Sequence, residues 1–198
     1  MIVVGLTGGI GAGKSLVAEC WFKRGARILS ADSYGHTVLE KNKNVRRAMI
    51  RRFGKDIVGP TGALLRDLIA ERAFKSLSAT RALNRIVAPA LISLLYHDIE
   101  KLRRRRGSML VVDAALLCEW KSTIEFDVRV LVTAPRAKKL KWLSTRGLPY
   151  RPAIRRMRQQ WPDHKKRKWA DLEIRNDGTP AELRRKAIAA FPFIQSFE

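Results

Sequence analysis

Gly8-Gly9-Ile10-Gly11-Ala12-Gly13-Lys14-Ser15 follows directly on a short apolar run at residues 2–6, Ile-Val-Val-Gly-Leu, and constrains the fold more than any other stretch. The apolar run reads as a buried strand. The segment behind it fits G-x-x-x-x-G-K-[ST], where glycines allow φ values and close approaches that side chains block, so that backbone N–H groups turn inward around an anion. Lys14 would reach β- and γ-phosphates, the Ser15 hydroxyl would ligate Mg²⁺, and a helix beginning there adds the positive end of its dipole. The pattern has this meaning only between a strand and a helix. Val17, Ala18, Trp21 and Phe22 recur at helical spacing until Gly25, which supplies the helix. The reading is nucleoside triphosphate chemistry, with Gly9, Gly11, Ala12, Gly13, Lys14, Ser15 and Leu16 as candidate contacts.

Residues 27–31 read as a second strand ending at Asp32, and 34–52 as one Arg/Lys-rich helix broken by Phe53-Gly54. Gly59-Pro60-Thr61-Gly62 is a turn signal, and a helix is expected over 64–74. A long helix follows, with an apolar face of Leu83, Val87, Leu91, Leu94 and Leu102, ending at the basic run 103–106 and Gly107. Residues 109–113 and 128–132 are β-branched runs of the kind a parallel sheet covers on both faces, 172–175 is a weaker fifth strand, and 181–191 a closing helix. Alternation of strands and helices predicts an α/β fold, a doubly wound five-stranded parallel sheet with ligands at the strands' C-terminal ends. Residues 8–15, Asp32 and Asp113 all fall at such ends.

A length of 198 residues suits one core with inserted pieces, and 46% hydrophobic with 29% charged residues excludes disorder. Cys20 and Cys118 lie far apart with no metal or disulfide spacing, so a reducing cytoplasm is expected. The longest mostly apolar stretch, 86–95, is broken by Pro89 and too short for a bilayer, so no membrane partner is expected. The net charge of +22 attracts polyanions without choosing among nucleotides, phosphorylated metabolites and nucleic acid. Residues 136–169 concentrate it, with 13 Lys or Arg against the single acid Asp163.

Phosphoryl transfer requires a phosphate cradle, a metal, an acid that orients the acceptor hydroxyl and a cation for the transition state. Asp32 is placed to accept a hydroxyl proton, or to cap a helix N-terminus. Asp113 ends an apolar strand and would hold Mg²⁺, or make a strand-ending turn. Arg146 stands where the basic stretch turns between two expected helices, as an arm residue for the transferring phosphoryl group or as ordinary surface charge. His36, His97 and His164 are scattered, against a histidine cluster. Trp120, Trp142, Trp161 and Trp169 are open to base stacking or to packing.

Taken together, these residues resemble the dephospho-coenzyme A kinase family over nearly the whole chain. The resemblance begins with Gly5-Leu6-Thr7-Gly8-Gly9-Ile10-Gly11-Ala12-Gly13-Lys14-Ser15, narrower than the general loop. It continues through Ala31-Asp32, Phe53-Gly54, Leu65-Arg66, Leu83-Asn84, Pro89, Leu116-Leu117-Cys118-Glu119, Arg146, Arg156, Gln160, Ala170-Asp171 and Asn176-Asp177-Gly178. It implies a single kinase domain over 1–198, with a nucleotide core (about 1–32, 108–135 and 165–198), a helical coenzyme-A-binding part (about 33–107) and a lid (about 136–164). It further implies Mg²⁺-ATP as donor, dephospho-coenzyme A as acceptor, and Asp32 as base on the ribose 3′-hydroxyl. Lys14, Ser15 and Arg146 would handle phosphates and metal, Arg66, Asn84, Leu117 and Glu119 would serve the acceptor, and Asn176 would lie near adenine. A monomer is expected, with an oligomer left open.

The chain departs from that pattern at Leu16, Ala88, Ala115, Lys139 and Trp142, where a second hydroxyl, a His, a Pro, a Gln and an Arg are usual. The donor and metal parts are intact, while part of the acceptor side and lid has changed. A nucleoside or nucleotide kinase of the same fold, and a basic nucleic-acid-binding phosphate-loop protein, remain alternative readings at this stage.

Overall fold

The computed structural model describes residues 1–104, 109–120 and 124–197. By their contacts these divide into two compact units, Met1–Ser30 with Asp98–Glu198, and Ala31–His97. The residues expected to end the long helix, Arg105, Arg106 and Gly107, lie outside the described stretches.

The first unit is built on strands β1 (Ile2–Thr7), β2 (Arg27–Ser30), β3 (Met109–Asp113), β4 (Val128–Thr133) and β5 (Leu172–Arg175), in the order β2-β3-β1-β4-β5. All neighbouring pairs are parallel, the arrangement expected for the alternating pattern. The sheet's second strand is not the neighbour of its first, because β3 stands between them. Leu6 and Ser30 both register with Asp113, so β1, β2 and β3 end along one rim.

Helices α1 (Lys14–Phe22) and α9 (Pro180–Gln195) pack together over the sheet. Their Val17, Trp21, Leu183, Ala187 and Ile194 join Val4, Leu6, Val111, Val130 and Val132 in one buried cluster. Helix cover explains why β1 is buried along its length where a half-exposed sheet would alternate. Trp21 is wholly buried, and its Nε1 donates to the Ala187 carbonyl at 2.8 Å, so the indole's one polar atom is satisfied.

Three helices follow β4: α6 (Arg136–Thr145), α7 (Tyr150–Arg158) and the short α8 (Asp163–Arg167). The sequence pattern anticipates the first two and not the third, whose five residues are too few to show a period. Helix α9 extends beyond the expected 181–191 because Thr179 and Glu182 form a reciprocal capping box at its start and the helix runs on through Pro192.

In the second unit, the helix expected over 34–52 is two, α2 (Ala31–Lys41) and α3 (Lys43–Phe53). The Asn42 side chain accepts from the N–H groups of Asn44 and Val45 at 3.0 Å, starting a new helix there. Helix α4 (Arg66–Ala73) begins two residues later than expected because Leu64 pairs with Val58 across the Gly59 to Gly62 turn. Helix α5 (Leu77–Arg103) belongs to this unit as far as His97 and to the first from Asp98 on; its buried side chains are Ala79, Thr80, Leu91, Leu95 and Ile99, whereas Leu83, Val87, Leu94 and Leu102 are half-buried. Adjacent leucines at 94 and 95 let the periodicity run along either row, and packing selected the i, i+4, i+8 row 91, 95, 99. Among the described residues no helix is long and apolar enough to cross a membrane.

One electrostatic tie fastens α8 to the ends of β4 and β5. Glu173 accepts from Arg167 through both carboxylate oxygens at 2.8 Å and from the Thr133 hydroxyl at 2.7 Å. The Arg167 guanidinium holds its carboxyl down from the ordinary 4.5 to about 2. A depressed folded value contributes stability that is present above pH 4.5 and is lost as pH falls from 4.5 toward 2. The expected outcome is that Glu173→Gln lowers Tm at pH 7 and flattens the fall of Tm across that acidic window, read from melting curves of both proteins.

Candidate active site

The loop at residues 8–15 joins β1 to α1, with Gly13 as the helix N-cap at φ +102°. A Cβ on Gly13 would lie 2.7 Å from Nδ2 of Asn176 and 2.8 Å from Cδ2 of Leu183, besides the left-handed backbone. Gly11, at φ +76°, is crowded similarly, since a Cβ would meet the Lys139 carbonyl oxygen at 3.0 Å and Leu143 Cγ at 3.2 Å. The loop's glycines therefore serve two needs, its own curvature and the close approach of α6 and the β5–α9 connection.

Asn176 in that connection is 5% exposed and makes bonds in three directions. Its backbone N–H donates to Thr133 O at 2.7 Å, its Nδ2 donates to Ala12 O at 2.9 Å, and its Oδ1 accepts from Lys138 Nζ at 2.8 Å. Lys138 also donates to the Gly178 carbonyl. Both ends of the Asn176 amide are thus engaged by protein, and its role here is to brace the loop.

On the rim where β1 and β3 end, Lys14 Nζ stands 3.9 Å from Asp113 Oδ1, both side chains mostly shielded. Ser15 is exposed beside Lys14 at the start of α1. A carboxylate and a hydroxyl are hard oxygen donors of the kind Mg²⁺ takes together with substrate phosphates and water. Among the described residues no three His, Cys, Asp or Glu side chains form a ready-made metal cage, so a divalent ion would depend on Ser15, Asp113 and the donor. The residues present fit that mode of binding.

The segment after β3 is anchored by a buried lysine. Lys166 on α8 is fully buried, with Nζ 3.0 Å from Glu119 Oε1 and also donating to the Ala115 carbonyl. Glu119 Oε1 accepts the Trp161 N–H at 2.8 Å as well. Enclosing two charges is tolerable only when each is paired and hydrogen-bonded, and these contacts supply that. Leu117 is 2% exposed and belongs to the core, and burial pushes the Cys118 thiol up to about 11. In this structure Glu119 positions Trp161 and Lys166, while Leu117 is a core residue.

Those residues reach the loop. Gln160 Oε1 accepts the Ile10 N–H at 2.8 Å, and Lys139 pairs with Asp163 Oδ2 at 2.6 Å beside Gly9. A cavity of about 300 Å³ opens there. Of the three lysines in these contacts, nothing in the sequence distinguishes Lys138 and Lys166, which lie inside basic runs whose default reading is solvated surface. Lys139 stands out only as a departure from the family pattern. The available signal for Lys166 was Glu119, a carboxylate in an apolar segment that needed a cation.

The remaining candidates are placed as follows. Arg146 ends α6 in an exposed position, its guanidinium 5.4 Å over the Trp142 ring, so Trp142 packs on a cation. Asp32 lies in the first turn of α2, which begins at Ala31, and is exposed; it is therefore inside the helix and not its cap. Arg66 opens α4, paired with Glu40 and 3.2 Å from Nδ1 of His36. Asn84 is half-buried in α5.

A family model described as dephospho-CoA kinase matches residues 2–182. The chain is 34% identical over 190 residues to a dephospho-CoA kinase of Syntrophotalea carbinolica, spanning 96% of this chain and 90% of that protein. To one of Corynebacterium diphtheriae it is 36% identical over 188 residues, spanning 94% of each. A solved Thermus thermophilus protein superposes with a TM-score of 0.77 at 28% identity, covering 97% of this chain and 96% of that one. A dephospho-CoA kinase from Campylobacter jejuni, at TM-score 0.64 and 20% identity with the same coverages, is alike in fold.

Truncating Asn176 would remove the amide that meets the Ala12 carbonyl and leave Lys138 only the Gly178 carbonyl, a change on the order of 1–3 kcal/mol for buried groups. Asn176→Ala is expected to weaken ATP binding about tenfold or more, measured by titration calorimetry, with a lowered Tm; unchanged affinity would remove Asn176 from the support of the loop.

Proposed function

Because the chain belongs to the dephospho-CoA kinase family, we propose that it transfers the γ-phosphoryl group of ATP to the ribose 3′-hydroxyl of dephospho-coenzyme A, completing coenzyme A. The observation that carries this reading is the loop at residues 8–15, whose amides, Lys14 and the neighbouring Asp113 form a site for a nucleotide polyphosphate. Gly9, Gly11, Ala12, Gly13 and Leu16 contribute backbone to that site.

The roles follow from the chemistry each residue offers. Lys14 neutralises charge on the β- and γ-phosphates. Asp32 accepts the proton of the 3′-hydroxyl as the new O–P bond forms and the bond to the ADP oxygen breaks. Asp32 is exposed in the first turn of α2, where its carboxylate is open to an acceptor hydroxyl. Mg²⁺, held through Ser15 and Asp113, would offset phosphate charge. Arg66 takes a phosphate of the acceptor, exchanging its present carboxylate partner Glu40 for another anion. Asn84 is assigned to the same acceptor, Arg146 to the transferring group, and residues 33–107 and 136–164 to coenzyme A binding and closure. The protein acts as a monomer in the cytoplasm.

Incubation with ATP, Mg²⁺ and either dephospho-coenzyme A or a panel of nucleosides, followed by product analysis, tests the acceptor; phosphorylation of a nucleoside in preference to dephospho-coenzyme A would overturn it. Asp32→Asn is expected to lower kcat by roughly 10²–10⁴ with ATP affinity retained, and Lys14→Ala to lower both. Arg146→Ala is expected to reduce kcat more than ATP affinity; equal losses would mean ground-state charge attraction alone.

A further inference from the structure

One face of α6 lies on the phosphate loop. Lys139 and Leu143, a turn apart, are each 6% exposed, and the Lys139 carbonyl closes over Gly11. The ammonium of Lys139 is thereby withdrawn from water at the loop's opening residues, 3.3 Å from where a Cβ on Gly9 would stand and 2.6 Å from Asp163 Oδ2. A lysine enclosed in this way needs an anionic partner. Tying two helices together does not require it, since apolar contacts do that as well or better. The pair lines the cavity of about 300 Å³ that Gly9, Ile10, Arg136, Gln160 and His164 also line.

The occupants of the cavity mouth have a common character. The Ile10 N–H, one of the loop's amides, donates to Gln160 Oε1 at 2.8 Å. The Lys139 ammonium donates to Asp163 Oδ2. Two donors converge at the start of the loop, and each is met by a side-chain oxygen from the neighbouring residues 160 and 163. An amide N–H and an ammonium each met by an oxygen are the contacts that a phosphate oxygen also makes. Loop amides take the phosphates nearer the nucleoside while the loop lysine reaches the β- and γ-phosphates, so a second cation at the loop's first residues would share the terminal group with Lys14. Trp142, further along α6, carries no charge and holds Arg146 instead.

We infer that Lys139 binds the donor's terminal phosphate as a second ammonium facing Lys14 across the loop, and that Asp163 and Gln160 are place-holders that give way to that phosphate. The inference rests on the phosphoryl-transfer reading above and adds a residue to it. Exchange of one anion for another keeps the ammonium paired throughout, so no unpaired buried charge arises at any stage. The contact discriminates ATP from ADP, because only the triphosphate carries the group that Lys139 meets.

Calorimetric titration of the full chain with ATP and separately with ADP, in Mg²⁺ and without acceptor, tests this. Lys139→Gln is expected to weaken ATP binding about 10- to 100-fold, the size of one charge-assisted contact, while ADP affinity changes less than about threefold. Lys139→Arg, which keeps the charge, is expected to restore most of the ATP preference, and Asp163→Asn to leave it at or above the wild-type ratio. If Lys139→Gln and Asp163→Asn weaken ATP and ADP alike and lower Tm together, the pair is a structural tie and the inference falls. If the wild-type chain binds ATP and the ratio is unmoved by Lys139→Gln, the inference alone fails. Should the wild-type chain bind no ATP, the phosphoryl-transfer reading fails first and takes this residue's role with it.

Discussion

Asn176 holds the phosphate loop from below, and most of the site's geometry depends on that contact. Its amide reaches the Ala12 carbonyl because Gly13 has no Cβ to intervene, and its backbone N–H is fixed to Thr133 at the end of β4. The loop is thereby joined to the sheet through a strand that is not its own. A cup of amides attracts an anion only if the amides keep their directions before the anion arrives, since rearrangement would consume binding energy. Lys14 inherits its direction from the helix that begins where the bracing ends, and the rim shared by Leu6 and Asp113 brings the carboxylate to it.

A second layer of the site is electrostatic and concealed. In a chain of net charge +22, most lysines and arginines are solvated, and a field of that sign draws phosphate-bearing solutes toward the protein. Lys166 and Lys139 differ in being enclosed. Lys166 fixes Glu119 and through it the Trp161 backbone, which sets the neighbouring Gln160 against Ile10. Residues 136–167 are therefore referenced to the loop by paired interior charges as well as by apolar contact, and such pairs are directional where apolar burial is not.

Much of the architecture was legible in residue order. The runs at 109–113 and 172–175 are strands with those bounds, because β-branched residues enclosed by polar segments leave few alternatives. Where the structure differs from the sequence pattern, a local interaction outweighed periodicity: Asn42 started a helix inside an expected one, Thr179 set an earlier start for α9, and Leu64 was drawn into a pair with Val58. The order of strands could not be read, since periodicity records which residues are buried and not which strand lies next to which. In the site, the loop residues and Asp113 stood out by spacing, while Glu119, Lys138, Lys139 and Lys166 did not reveal their pairings.

The sequence by itself determined an α/β core with a polyphosphate-binding loop between its first strand and helix, because glycine spacing and apolar runs are local properties that hold wherever the chain goes. Tertiary structure alone decided that Asn176 braces Ala12, that Lys166 meets Glu119, and that Lys139 stands over Gly9. Each of these joins segments more than forty residues apart, and whether a lysine is solvated or enclosed depends on what folds over it. Composition assigns the charge, and only packing removes the water around it.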